Sequence, residues 1–193
     1  SAASDVYKRQ EVYLAAIEEV TKKGKQAIVL IPEIALTYQT VTRFTKRFGD
    51  RVSILNSRLS KGEKYDQWLR AKRGDIDVII GPRSALFVPF PNLGLIVIDE
   101  EHEPTYKSEQ TPRYHARETA LRRAQTEGAS VVLGSATPSM EAMYRAKNGE
   151  YVLMEMKNRS KMQDPAEVYT VDMRKELKNG NRSICLLYTS DAA

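Results

Sequence analysis

Short apolar runs alternate along the chain with segments of helical spacing. Residues 27–31 (AIVLI), 52–55, 77–80, 93–98 and 130–133 are short, largely apolar and rich in β-branched side chains, which predicts buried strands. Between them, residues 34–48 place Leu36, Thr40, Phe44 and Phe48 on one side of a helix. Residues 61–72 carry Trp68 and Leu69 in an amphipathic pattern, 114–127 stop at Gly128, and 138–147 open on Pro138 and end before Gly149. This alternation predicts an α/β fold, a parallel β-sheet with helices on both faces. Ligands of such sheets bind outside the carboxyl ends of the strands, so the loops after Ile31, Ile80, Ile98 and Leu133 are where chemistry is expected. Beyond Met156 the pattern weakens: 157–165 read as a connector, 167–171 as a possible strand and 174–181 as polar.

Composition narrows the class without naming a function. The 193 residues are 41% apolar and 28% charged, an ordinary globular profile. A single cysteine, Cys185, excludes an internal disulfide framework and a cysteine-based metal cluster within the chain. The apolar runs are too short to span a bilayer, so no membrane association is expected. The first ten residues lack the apolar core of a secretory signal, and the expected setting is the reducing cytoplasm. Thirty Lys and Arg against 25 Asp and Glu leave the chain at +5. Between Arg43 and Arg73, however, ten basic residues face only three acids, a concentration of positive charge that reads either as a pair of solvated helix faces or as a surface suited to a polyanion.

The predicted strand ends carry distinctive residues. Strand 93–98 delivers Asp99-Glu100-Glu101-His102, the Walker B arrangement, in which the first acid holds Mg2+ and the next polarises the attacking water. His102 would lie beside the γ-phosphate. After strand 130–133 come Ser135, Thr137 and Pro138, with hydroxyls able to bond the acidic cluster and Thr137 placed to cap the next helix. After Ile31, Pro32 and Thr37 open a helix whose amides suit a nucleic-acid phosphate. After Ile80, Arg83 and Ser84 are suited to the same contact, while Leu86 and Phe87 are expected in the core.

In that order these segments resemble motifs Ia, Ib, II and III of superfamily 2 helicases, whose first lobe is a RecA-like P-loop NTPase fold. LIPEIALT, GPRSALFVPF, the DEEH segment running on to ARETA, and LGSATPS are most similar to the primosomal, replication-restart branch. The resemblance covers roughly residues 11–184. It implies an ATP-dependent 3′–5′ DNA helicase using Mg2+ held by Asp99, acting on forked or single-stranded DNA beside primosome and single-strand-binding proteins in a bacterial, nucleoid-associated setting. It also implies that Glu100 activates water and that Glu101, His102, Ser135 and Thr137 couple nucleotide state to DNA. Zinc is expected in a cysteine-rich module of the parent, and none in this chain. An aromatic-rich loop follows DEEH; there Tyr106 and Tyr114 either stack on bases or pack half-buried against the body, while Lys107, Arg113 and Arg117 are expected to meet phosphates.

One departure stands out. The family pattern calls for a glycine-rich loop ending in GKT just before Glu11, but residues 6–10 read Val-Tyr-Lys-Arg-Gln and no glycine precedes Gly24. Without glycines, successive backbone N–H groups cannot converge on phosphates. The expected organisation is therefore a foreign segment at 1–10, the helicase lobe at 11–156, a connector toward an absent second lobe at 157–184, and a foreign segment at 185–193. This chain alone is expected to be inactive. The rival readings are another superfamily 2 translocase or repair helicase, and a non-enzymatic nucleic-acid-binding module.

Overall fold

The computed structural model describes residues 2–156 and 172–178. Contacts divide the chain into one unit reaching Asn158 and a second from Arg159, of which helix α6 (Met173–Lys178) is described. The expected strand at 167–171 and the connector at 157–165 lie outside the described residues.

The first unit is built on five parallel strands: β1 (Gln26–Leu30), β2 (Val52–Ile54), β3 (Val78–Gly81), β4 (Leu93–Asp99) and β5 (Ser130–Gly134), in the order β2-β3-β1-β4-β5. Every predicted strand in this unit forms. β1, β3 and β4 are buried along their whole length because helices cover both faces, which is why they read as unbroken apolar runs.

Side-chain alternation along the strands separates two cores. Ala27, Val29, Ile31, Val78, Ile80, Leu95 and Val97 meet Tyr13, Leu14 and Ile17 of helix α1 (Ala2–Lys22) and Phe44 of helix α2 (Tyr38–Phe48). On the opposite face, Ile28, Leu30, Ile79, Ile96 and Ile98 meet Ala116, Ala120 and Ala124 of helix α4 (Ala116–Glu127), Ala71 of helix α3 (Lys61–Arg73) and the 85–90 segment. Each fully buried isoleucine contributes about 2 kcal/mol, so the central strands anchor whatever their ends carry.

Several boundaries differ from the sequence expectation, for local reasons. The 34–48 helix breaks into a 3-10 turn (Glu33–Ala35) and α2, because the Thr37 hydroxyl caps the helix by accepting from the Thr40 amide. The cap of helix α5 (Met140–Lys147) is Ser139, not Thr137, and Pro138 lies outside the helix. His115 caps α4, and Gly128 closes it in the left-handed conformation at φ 66°. α1 carries no proline or glycine and runs unbroken through residues 2–10.

Candidate functional site at the carboxyl ends of β4 and β5

β4 ends on Asp99, which is 3% exposed. Glu100 turns the chain through a left-handed φ of 49°, a conformation costing roughly 1–3 kcal/mol in a residue with a side chain. That turn lets the Glu101 amide donate to the Gly134 carbonyl at 3.0 Å and separates the four consecutive side chains.

Asp99 faces α1. The Tyr13 hydroxyl donates to its Oδ1 at 2.9 Å, and Arg9 Nε lies 3.4 Å from the same oxygen. The Arg9 guanidinium also pairs with Glu100. Burial pushes the Asp99 carboxyl above the usual carboxylate range, against the opposing pull of Tyr13 and Arg9. Burial works against the Arg9 charge, yet Asp99 and Glu100 outweigh it and hold the guanidinium above its ordinary value. Gly134 is required beside this cluster: a Cβ there would sit 1.6 Å from the Tyr13 oxygen. Gln10, the next residue of α1, donates to Thr40 Oγ1 at 3.3 Å and accepts from Arg43.

Glu101 turns the other way and is 3% exposed. Its carboxylate accepts from the Ser139 amide at 2.6 Å, from the Ser139 hydroxyl at 3.0 Å and from Arg117 at 3.1 Å. Arg117 also donates to Ser139 Oγ at 2.8 Å. This buried trio locks β4, the start of α4 and the start of α5 together. His102 Nδ1 lies 2.7 Å from Ser135 Oγ and 3.7 Å from Glu100, so the acidic turn and the end of β5 meet through one imidazole. Thr137 Oγ1, 3.5 Å from His102 Nε2, is at the limit of a hydrogen bond.

The aromatic loop is rooted in the same place. The Tyr106 hydroxyl lies 2.7 Å from the Asp99 carbonyl and 3.0 Å from the Leu30 carbonyl, joining the ends of β4 and β1. Arg83 donates to the carbonyls of Thr105 at 2.6 Å and Lys107 at 2.9 Å. Lys107, Arg113 and Tyr114 line a shallow recess with Ser108, Glu109 and His115. Tyr114 packs edge-on against Phe87, 5.1 Å between centroids.

These positions revise particular expectations. Tyr106 is 1% exposed and Arg117 7%, so neither presents a surface to a base or phosphate; one bridges strand ends, the other neutralises Glu101. Arg83 is committed to loop carbonyls, and Glu101 to a structural trio rather than to the open acidic face. Phe87 is half exposed rather than in the core, while Leu86 is buried. Pro32 is buried, Thr37 caps α2, and Ser84 is exposed. Sequence reasoning missed Tyr13 and Ser139, and read Arg9 only as a cation standing where the loop's lysine would be, without its acidic partners. Ser139 was findable as a hydroxyl residue directly before a helical run; contacts between α1 and Asp99, more than 80 residues apart, leave no local signal.

The profile of DEAD/DEAH box helicases matches residues 11–145. The chain belongs to the DEAD/DEAH box helicase family. Replication restart protein PriA of Bacillus subtilis (strain 168) is 53% identical over 176 residues, covering 91% of this chain and 22% of that protein. PriA of Chlamydia pneumoniae is 46% identical over 177 residues, covering 91% and 24%. The helicase chain thus spans about a quarter of the length of these relatives. RecG bound to a three-way DNA junction superposes with a TM-score of 0.50 at 26% identity, covering 72% of this chain and 18% of RecG. The fold is a RecA-like helicase lobe.

Helicases of this family use ATP and Mg2+. Asp99 and Glu100 offer the hard oxygen ligands that Mg2+ prefers. The residues around them do not fit the nucleotide: α1 continues where a glycine-rich loop would open, and Arg9 fills the space between the two carboxylates with a fixed cation. No described helix is long and apolar enough to cross a membrane.

Proposed function

We propose that residues 11–156 are the first motor lobe of an ATP-dependent 3′–5′ DNA helicase of replication restart, working with primosome and single-strand-binding proteins in the bacterial cytoplasm at the nucleoid. One observation carries this reading: the acidic end of β4 is joined to the end of β5 through His102 and Ser135, and to the aromatic loop through Tyr106. In this reading Asp99 would hold Mg2+ and Glu100 would orient water in the intact parent. His102, Ser135 and Thr137 would relay the state of the acidic turn, while Thr37, Ser84, Lys107, Arg113 and Tyr114 would face DNA. ATP hydrolysis supplies the free energy of translocation in such motors, and zinc belongs to another module of the parent.

The test is a comparison of two proteins. This chain should show no ATP turnover with or without forked DNA. A version bearing a glycine-rich GKT loop in place of residues 1–10, joined to a second lobe, should show DNA-stimulated turnover. Glu100→Gln should abolish that turnover while sparing nucleotide binding. Undiminished turnover in Glu100→Gln rejects the assignment. Arg9 favours a second reading for the chain as it stands, a nucleic-acid-binding lobe without nucleotide chemistry, because the guanidinium already neutralises the acidic pair.

A further inference from the structure

Helix α3 carries an exposed stripe that none of the strand-end motifs uses. At about 100° per residue, Lys61, Lys64, Tyr65, Trp68 and Lys72 fall within about 100° of the helix circumference. All five are exposed, Tyr65 at 60% and Trp68 at 44%. The acids of the helix lie elsewhere: Glu63 closes the capping box with Ser60, and Asp66 sits about 140° from Lys61. Among the described residues, none of the three lysines forms an ion pair. The helix is held to the body by buried Ala71 and by the Ser53 hydroxyl bonding Gln67 at 2.6 Å, so the stripe is free to face a ligand. Its first turn follows a loop tied to the Glu33–Ala35 turn, where Glu33 accepts from the Ser57 amide at 2.6 Å. The stripe therefore begins beside the end of β1 and runs about 16 Å away from it.

Two neighbouring aromatic rings flanked on both sides by lysines do not suit a protein partner, since interface cores exclude lysine. They suit unpaired bases stacking on the rings with phosphates at the ammonium groups. We propose that this face of α3 is a binding track for single-stranded nucleic acid, extending the strand-end surface outward. It rests on the reading of the lobe as a DNA-handling module and needs no nucleotide.

Trp68 is the chain's single tryptophan, which makes the test direct. The full chain is titrated with labelled oligo(dT), following anisotropy and Trp68 fluorescence across a salt series. Binding should quench Trp68. Changing Lys61, Lys64 and Lys72 together to Ala should weaken binding at least tenfold and lower the salt slope by about 2, since each single-strand phosphate contact is worth about 0.7. Trp68→Leu should weaken binding at least about fivefold, the low end for one lost stack. Lys23→Ala and Lys147→Ala, exposed lysines outside the 43–73 basic segment, should leave it within twofold.

Binding without Trp68 quenching, or a triple variant that binds like the parent, overturns the α3 track while leaving DNA binding by the lobe intact. Equal competition by duplex DNA or by poly-glutamate overturns the stacking assignment in favour of a general polyanion or an acidic partner. No oligonucleotide binding at low salt overturns both the track and the DNA-handling reading. Circular dichroism of each variant verifies that losses come from a folded protein.

Discussion

Replacing Arg9 with Met keeps most of the aliphatic stem and removes the cation that Asp99 and Glu100 share. Asp99 is 3% exposed and keeps the Tyr13 hydroxyl and the Glu100 amide as partners, while Glu100 is freer to turn toward solvent. Breaking a buried ion pair from one side costs about 3–5 kcal/mol. Two features place Arg9→Met near 3. Arg9 Nε is itself buried without a hydrogen-bond partner, so its loss relieves a desolvated donor, and Glu100 can rehydrate. A double-mutant cycle isolates the pair. Asp99→Asn alone leaves Arg9 with Glu100, and the double variant should be less destabilised than the sum of the singles by about 1.5–3 kcal/mol. Urea unfolding followed by far-UV circular dichroism and Trp68 fluorescence gives each value. With the guanidinium gone, millimolar Mg2+ should raise the midpoint of Arg9→Met and leave the parent unchanged, because a ligand that binds only the folded form stabilises it. A coupling below about 0.5 kcal/mol, within ordinary additivity error, refutes the claim that Arg9 neutralises the acidic end of β4.

Three further outcomes follow from the same geometry. Tyr106→Phe should cost about 1–2 kcal/mol by leaving the Asp99 and Leu30 carbonyls short of a donor, with oligonucleotide affinity unchanged; lost affinity at full stability would return Tyr106 to the DNA surface. Gly134→Ala should destabilise by about 1–3 kcal/mol because its Cβ displaces Tyr13 from Asp99, and a neutral result on urea unfolding would mean that Tyr13 does not sit against β5. His115 accepts the Arg117 amide at Nδ1, and burial, helped by the Arg117 charge, lowers its pKa below 6.5. Its neutral form is the one the fold prefers, so its contribution of about 1 kcal/mol is complete above pH 6.5 and is lost as pH falls through the lowered value. His115→Asn, which keeps a capping oxygen, should remove that part of the pH dependence of Tm between pH 7 and 5.

How much of this was legible in the sequence depends on the range of the interaction. All five strands, the Asp99–His102 turn and its meeting with Ser135 could be read because each rests on local periodicity or on the rule that parallel strands present their carboxyl ends together. The roles of Tyr106 and Arg117 could not. An aromatic and an arginine near a ligand loop look the same whether they face outward or plug a strand end, and only the packing of Tyr106 beneath β1 and β4 decides between them. Thr137 lost the helix cap to Ser139 by two residues because Glu101 accepts from the Ser139 amide and so fixes where α5 begins.

The acidic turn of this chain is consequently asymmetric. On the β5 side its bonds connect elements that can transmit movement: His102 to Ser135, and Glu101 to both Arg117 and Ser139. On the α1 side a guanidinium stands against Asp99 and Glu100. Two adjacent carboxylates at the end of a buried strand repel each other and resist desolvation, so the fold needs a cation at that point. A motor that turns over nucleotide needs one that comes and goes with its fuel. Arg9 satisfies the first requirement permanently and thereby defeats the second. The coupling side keeps its bonds while Arg9 occupies the acidic pair, and restoring an exchangeable cation is the change that should separate stability from activity at this site.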